Sequence, residues 1–312
     1  MKGREELRRM RRKVNGFSIA VITMVLALSF SSVCCVRTSR VLGWSNGGFS
    51  SDPSNPDYGT HDWIAQHALD WLPQAEKQFI VANLNVYLYG TELPDNGQAP
   101  DGIGDTTKHH VYYFANGALQ DNSSAVRALE EYSNAVALYT ADDMVGAAKR
   151  LGVMSHYIVD VGVFGHVMGS GTDWGSEVHH SDYETYVNER TNTYMDEFNS
   201  YLVFDGQLDE ISAYNATLTL ANNTTFDNGG TQTCTWMDQN YDWNNPEFKN
   251  RCGESLNLAV NLLADVLHTF YEEIIVPEFT SILFIPILIV VVTAALFYAQ
   301  KKKLIKTKNH IG

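Results

Sequence analysis

The 312-residue sequence is poor in cysteine and, over most of its length, poor in basic charge. It holds four cysteines and no C-x-x-C pair, which argues against a cysteine-built zinc site. Residues 44–276 carry 8 Lys and Arg against 33 Asp and Glu, a net charge of −25. So acidic a body repels nucleic acid and anionic surfaces unless a cation sits within it. The same stretch has no long apolar run, so a polytopic membrane protein is excluded. It shows no internal repeat and no linker, which leaves one sizeable domain. Low complexity is absent too: 45% of the chain is apolar, enough to offset the entropy of ordering.

Basic and apolar residues gather at the two ends. Residues 1–16 are rich in Lys and Arg and precede an apolar run, Phe17 to Val36. This reads as a signal peptide or an N-terminal anchor over residues 1–43, with Val41 and Gly43 placing a cleavage point before Trp44. A second run, Ser281 to Ala299, ends at Lys301, Lys302 and Lys303. Its length suits a bilayer, and the basic flank belongs on the cytoplasmic side. Residues 44–276 are then expected at the outer cell surface, tethered by 277–312. Cys34 and Cys35 fall in the first run, so Cys234 and Cys252 remain as a pair. A bridge between them would be worth about 3 kcal/mol on the chain-entropy account. Sequons at Asn122, Asn215, Asn222 and Asn223 are compatible with an external location.

Apolar spacing across the body predicts helices over 61–72, 75–88, 123–139, 141–164, 177–201 and 254–275. Residues 204–251, rich in Asn, Thr, Gly and Asp, read as an irregular insertion pinned by the cysteine pair. The fold class is all-α.

Histidines and carboxylates recur at helical spacing within this frame. His156 and Asp160 are four apart, as are His180 and Glu184, and His166 stands between the pairs. Residues four apart share a helix face. Two such pairs on adjacent helices converge nitrogen and oxygen donors on a bundle interior, which is how metal sites in bundles are built. Imidazole and carboxylate suit zinc. His67, His268, Trp63, Trp71 and Trp174 read as packing residues, and Asp62 as a helix N-terminal charge.

With the upstream segments added, the sequence resembles the zinc-dependent phospholipase C family, which is related to the S1/P1 nucleases. The resemblance runs over residues 44–200 and rests on Trp44, THDWIAQHALDWL, LYGTELPDN, KHHVYYF, MSHYIVDVGVFGH and HHSDYETYV. It implies a multi-helix fold that holds three zinc ions. One ion would take Trp44, His61 and Asp160. A second would take Glu92, His110, His156 and bridging Asp160, and the third His166, His180 and Glu184. The Trp44 contact requires a free amino group there. Glu92 stands where the family has Asp, and Asp95 is its rival; His109 rivals His110, and His179 rivals His180. Pro277-Glu278-Phe279, ahead of the second run, resembles the PEF-type sorting signal of archaeal surface proteins, which an archaeosortase processes; a plain transmembrane anchor is the other reading.

The resemblance implies hydrolysis of a phosphodiester, with Glu92 as the base. Phospholipid is the expected substrate, and single-stranded nucleic acid the runner-up that the acidic body disfavours. A non-catalytic surface protein stabilised by zinc is the reading from another class.

Overall fold

The computed structural model describes residues 49–274 and Thr293. Trp44, both terminal apolar runs and the Pro277-Glu278-Phe279 segment lie outside the described residues. Among the described residues, no helix is long and apolar enough to cross a membrane.

The centre of the fold is α5, Met144–Asp160, reached from α4, Ser123–Thr140, through a tight connection. Asp142 adopts φ 64° there, a left-handed conformation that Asp tolerates. The Asp143 carboxylate then accepts the Gly146 N–H and caps α5. From Leu151 to Asp160 every residue of α5 is buried, as expected of a helix enclosed on all sides. On α4, Ala125, Ala128, Tyr132 and Ala135 are buried at helical spacing, and the small residues let it lie close along α5.

Three shorter helices precede this pair: α1, Thr60–Trp71; α2, Gln74–Ala82; and α3, Leu84–Glu92. The single helix expected over 75–88 is interrupted at Asn83, whose side chain donates to the Phe79 carbonyl. The α3 helix crosses α5 at a glycine contact. A Cβ on Gly152 would lie 1.9 Å from the Tyr87 carbonyl oxygen and 3.0 Å from the Gly90 Cα. Only glycine at both positions permits so near an approach of two backbones.

After α3 the chain forms a two-stranded hairpin, β1 (Tyr112–Tyr113) and β2 (Leu119–Asp121), antiparallel with Tyr112 opposite Asp121. Beyond α5, a 3₁₀ turn at Phe164–His166 leads through a loop to α6, His180–Asn188. The predicted helix over 177–201 therefore ends early, and its tail is a separate 3₁₀ turn at Glu197–Tyr201.

The expected irregular insertion over 204–251 gives way to helices. It contains α7, Ala213–Phe226, and α8, Cys234–Gln239, and the final helix α9 already begins within it, its described part covering 246–274. In α7 the hydroxyls of Thr217, Thr224 and Thr225 bond back to carbonyls one turn earlier. Ala213, Ala216, Leu220 and Ala221 form its buried stripe, so polar composition hid a helix. The start of the segment is not helical. The N–H groups of Val203, Asp205, Asp209 and Ile211 donate to side chains of Asn257, Asn261, Asp265 and Thr269, spaced four apart along α9. The expected Cys234–Cys252 bridge is not formed: both thiols are buried and free. Arg251 ties the region instead, donating to the carbonyls of Asn223 and Gln232.

Gly152→Ala is expected to force α3 from α5 and to cost about 1–3 kcal/mol, the usual penalty of overpacking. A urea midpoint equal to that of the parent would remove the glycine contact from the account.

Candidate metal centre

The site forms where α1, α3 and α5 meet. His61 lies in the first turn of α1, and His156 and Asp160 lie one turn apart at the end of α5. The His61 and His156 rings stack, with centroids 4.0 Å apart and planes 9° apart. Asp160 Oδ1 is 3.1 Å from His61 Nε2, and Asp160 Oδ2 is 3.1 Å from His156 Nε2. His156 Nδ1 donates to the Thr91 carbonyl over 2.7 Å. That bond places the ring proton on Nδ1 and leaves Nε2 bare toward Asp160, the usual arrangement behind a metal-ligating histidine.

The neighbouring pair expected to be Glu92 and His110 is placed elsewhere. Glu92 is fully buried, and its carboxylate accepts the N–H groups of Ser50 (2.6 Å) and Asp57 (2.9 Å). Burial pushes its pKa up to about 7 against those two hydrogen bonds. It anchors the segment before α1. Asp95 reaches the cluster instead, with Oδ1 3.3 Å from His109 Nδ1 and 3.9 Å from His156 Nε2. The reason is local: α3 ends at Glu92, and the turn through Pro94 re-aims the chain. Similarly, His109 points inward, with Nδ1 2.9 Å from Asp160 Oδ2, while His110 stacks on Tyr112 and faces Asp121 at 3.3 Å. The chain bends at Lys108 and His109 and carries one ring inward and the other toward the hairpin.

His166, His180 and Glu184 form a further group. Glu184 Oε1 is 2.7 Å from His180 Nε2 and 3.5 Å from His166 Nε2, and the two rings meet edge to face at 4.7 Å. Gly165 makes this possible, since a Cβ there would lie 2.4 Å from the His180 ring. His179 is turned away, stacked on Tyr241 and bonded to the Asp238 carbonyl. Glu76, His268 and Glu272 also lie together, but share no residue with these groups. A hydrogen bond between His268 Nδ1 and Glu76 accounts for that contact.

The donor set fits zinc. Three buried groups bring ligand atoms within 4.8 Å of one another: His61, Asp95 and His156; His109, His156 and Asp160; His166, His180 and Glu184. Two ligands bound tetrahedrally at zinc distances are roughly 3.4 Å apart. Nδ1 of His61 and Nε2 of His166 are buried and make no hydrogen bond. Buried polar atoms are rarely left so, and lone pairs converging in this way are the signature of a shared cation.

Protons occupy some of these donors in the metal-free protein. Burial lowers the His109 pKa, but Asp105, Asp160 and Asp95 outweigh it and raise it to about 10. The His180–Glu184 pair likewise keeps a proton past neutrality, because burial penalises the bare carboxylate and the carboxylate favours imidazolium. His166 is driven the other way, well below its ordinary value, by burial.

Residues 60–253 match the family model described as "Zinc dependent phospholipase C". Similar solved structures include the alpha toxin of Clostridium absonum, 16% identical with a TM-score of 0.49, the match covering 72% of this chain and 66% of the toxin. Another is the Clostridium perfringens alpha-toxin from an avian strain, 12% identical with a TM-score of 0.45, covering 74% of this chain and 66% of the toxin. The chain thus spans just under two thirds of each toxin's length. No curated protein matches the sequence.

Zinc must displace the protons of His109 and of the His180–Glu184 pair, so binding at pH 7 is expected to release about two protons. Affinity should therefore fall as the pH falls. Titration calorimetry in buffers of different ionisation enthalpy measures this, and a buffer-independent heat would remove these residues as ligands. Gly165→Ala should drive His180 from its place and abolish one zinc equivalent, read by metal analysis after dialysis. Retention of every equivalent would contradict that placement.

Proposed function

The chain belongs to the zinc-dependent phospholipase C family, and we propose that it hydrolyses phosphodiesters, cleaving phosphorylated head groups from phospholipid. One observation carries the reading: three buried histidine–carboxylate groups lie together, two of them sharing His156. Zinc held there would supply Lewis-acid stabilisation of a phosphate and would make a water more acidic.

The residues divide the remaining work. Asp160 and His156 hold adjacent donor groups in register from one helix turn. Asp95 takes over the base role first given to Glu92. Its Oδ1 lies among the imidazoles of His109 and His156, where it can orient a water and accept its proton. Glu92 instead accepts two backbone N–H groups from the segment before α1. In the reaction, water oxygen bonds to phosphorus, the bond from phosphorus to the glycerol oxygen breaks, and a proton passes to that oxygen. Three divalent ions would outweigh the carboxylates of Asp95, Asp160 and Glu184, and the centre would then attract phosphate although the body is acidic.

The location is part of the same proposal. The basic flanks of the two terminal runs support an outward-facing domain tethered by its C-terminal segment. A lipid head group beside a tethered enzyme reaches the centre without crossing much acidic surface. The PEF-like segment and archaeosortase processing are the finer form of this reading.

The zinc-loaded protein should release phosphorylated head groups from phosphatidylcholine vesicles and few nucleotides from single-stranded RNA. Asp95→Asn should reduce release at least about 100-fold, since general-base loss alone costs roughly 100-fold or more. Glu92→Gln should retain most of it. Nucleotide release without head-group release would overturn the substrate, and a silent Glu92→Gln with a fully active Asp95→Asn would overturn the base.

A further inference from the structure

We propose that Asp105 is a positioning residue of the centre, holding His109 in the tautomer and orientation that turn Nδ1 toward Asp160 and Asp95. This rests on the metal reading of the site.

An imidazole that binds metal through one nitrogen must carry its proton on the other, and the ring alone does not choose. Neighbours choose for it. His156 has the Thr91 carbonyl on its outer nitrogen at 2.7 Å. For His109 the inner nitrogen is Nδ1, 2.9 Å from Asp160 and 3.3 Å from Asp95. The outer nitrogen, Nε2, faces Asp105 Oδ1 at 3.6 Å. That gap is longer than a hydrogen bond, and a ring shift of about 0.5 Å would close it.

His109 needs such a partner more than His156 does. It sits after a turn, with no helix to fix its backbone, and its neighbour His110 is pulled toward the hairpin. Asp105, in contrast, is anchored from two helices. The Tyr157 hydroxyl on α5 donates to Oδ1 over 2.5 Å, and Arg127 Nε on α4 donates to Oδ2 over 3.0 Å. Arg127 lies over the Tyr157 ring and also donates to Glu131, which receives Arg150 as well. Tyr157 is the chain neighbour of His156. The helix that presents one ligand thus steadies the carboxylate behind another.

The test is zinc affinity of the full chain, by competition with a chromophoric chelator, alongside thermal melting of the zinc-free protein. Asp105→Asn should weaken the equivalents that use His109 by roughly 10–100-fold, the usual effect of losing such a partner. The equivalent held by His166, His180 and Glu184 should keep its affinity, and zinc-free melting should not move. Tyr157→Phe, which removes one anchor, should weaken the same equivalents less. Unchanged affinity in Asp105→Asn overturns the proposal, as does a uniform loss of all equivalents together with a lowered melting temperature. Should Asp105→Asn fail to fold, Tyr157→Phe decides: selective weakening supports the proposal and parental affinity overturns it. A parent that takes up no zinc would instead remove the metal reading.

Discussion

Both carboxylate oxygens of Asp160 meet imidazoles inside a helical core, and much of the architecture serves to keep that meeting in place. Oδ1 faces His61 from α1, and Oδ2 faces His156 from its own helix and His109 from a turn. Burial raises the Asp160 carboxyl, but His156 and His109 outweigh it and hold it well below the ordinary range. A carboxylate so enclosed is tolerable only with cationic or hydrogen-bonding partners close by. The glycine contact between α3 and α5, the complete burial of the second half of α5 and the cap at Asp143 all set the height and rotation of the residue that ends that helix.

The acidity of the body takes on a different meaning beside this centre. Surface carboxylates and site carboxylates enter the same formal total, yet they act in opposite directions. Those on the surface repel anions at a range set by salt. Asp95, Asp160 and Glu184 are buried donors, and divalent ions held by them would reverse the sign of the potential locally. Net charge therefore restricts which anions approach from solution and says little about which anion the centre can hold.

The helical part of the site was legible in the sequence, because a spacing of four on a helix has one geometric meaning. The structure brings His156 to Asp160, and His180 to Glu184 and His166, as their spacing implied. Where the chain is not helical, spacing has no such meaning. Glu92 and Asp95 are three apart, and His109 and His110 adjacent, and sequence alone does not reveal which member of each pair a turn carries inward. The chain breaks at Asn83, where the side chain bonds to the Phe79 carbonyl, and the helix after residue 212 is carried by a sparse buried stripe of Ala213, Ala216, Leu220 and Ala221 that its Asn- and Thr-rich composition hides. Asp105 left a faint signal, a carboxylate four residues ahead of His109, but no helix made that spacing meaningful.

The two kinds of ligand segment also differ in how their geometry is enforced. A helix fixes a ligand through its own hydrogen-bond ladder, so His156 needs one backbone carbonyl to settle its tautomer. A turn has no ladder, and its ligand must borrow rigidity. Gly165 lends it to His166 and His180 by allowing direct contact, since any side chain there would occupy the space of the His180 ring. Glu92 lends it to the segment before His61 by gathering the N–H groups of Ser50 and Asp57. Glu92 thus acts in this structure as a buried acceptor that holds the segment before α1. A carboxylate that is to move a proton in the proposed reaction has to face the imidazole cluster, as Asp95 Oδ1 does beside His109 and His156.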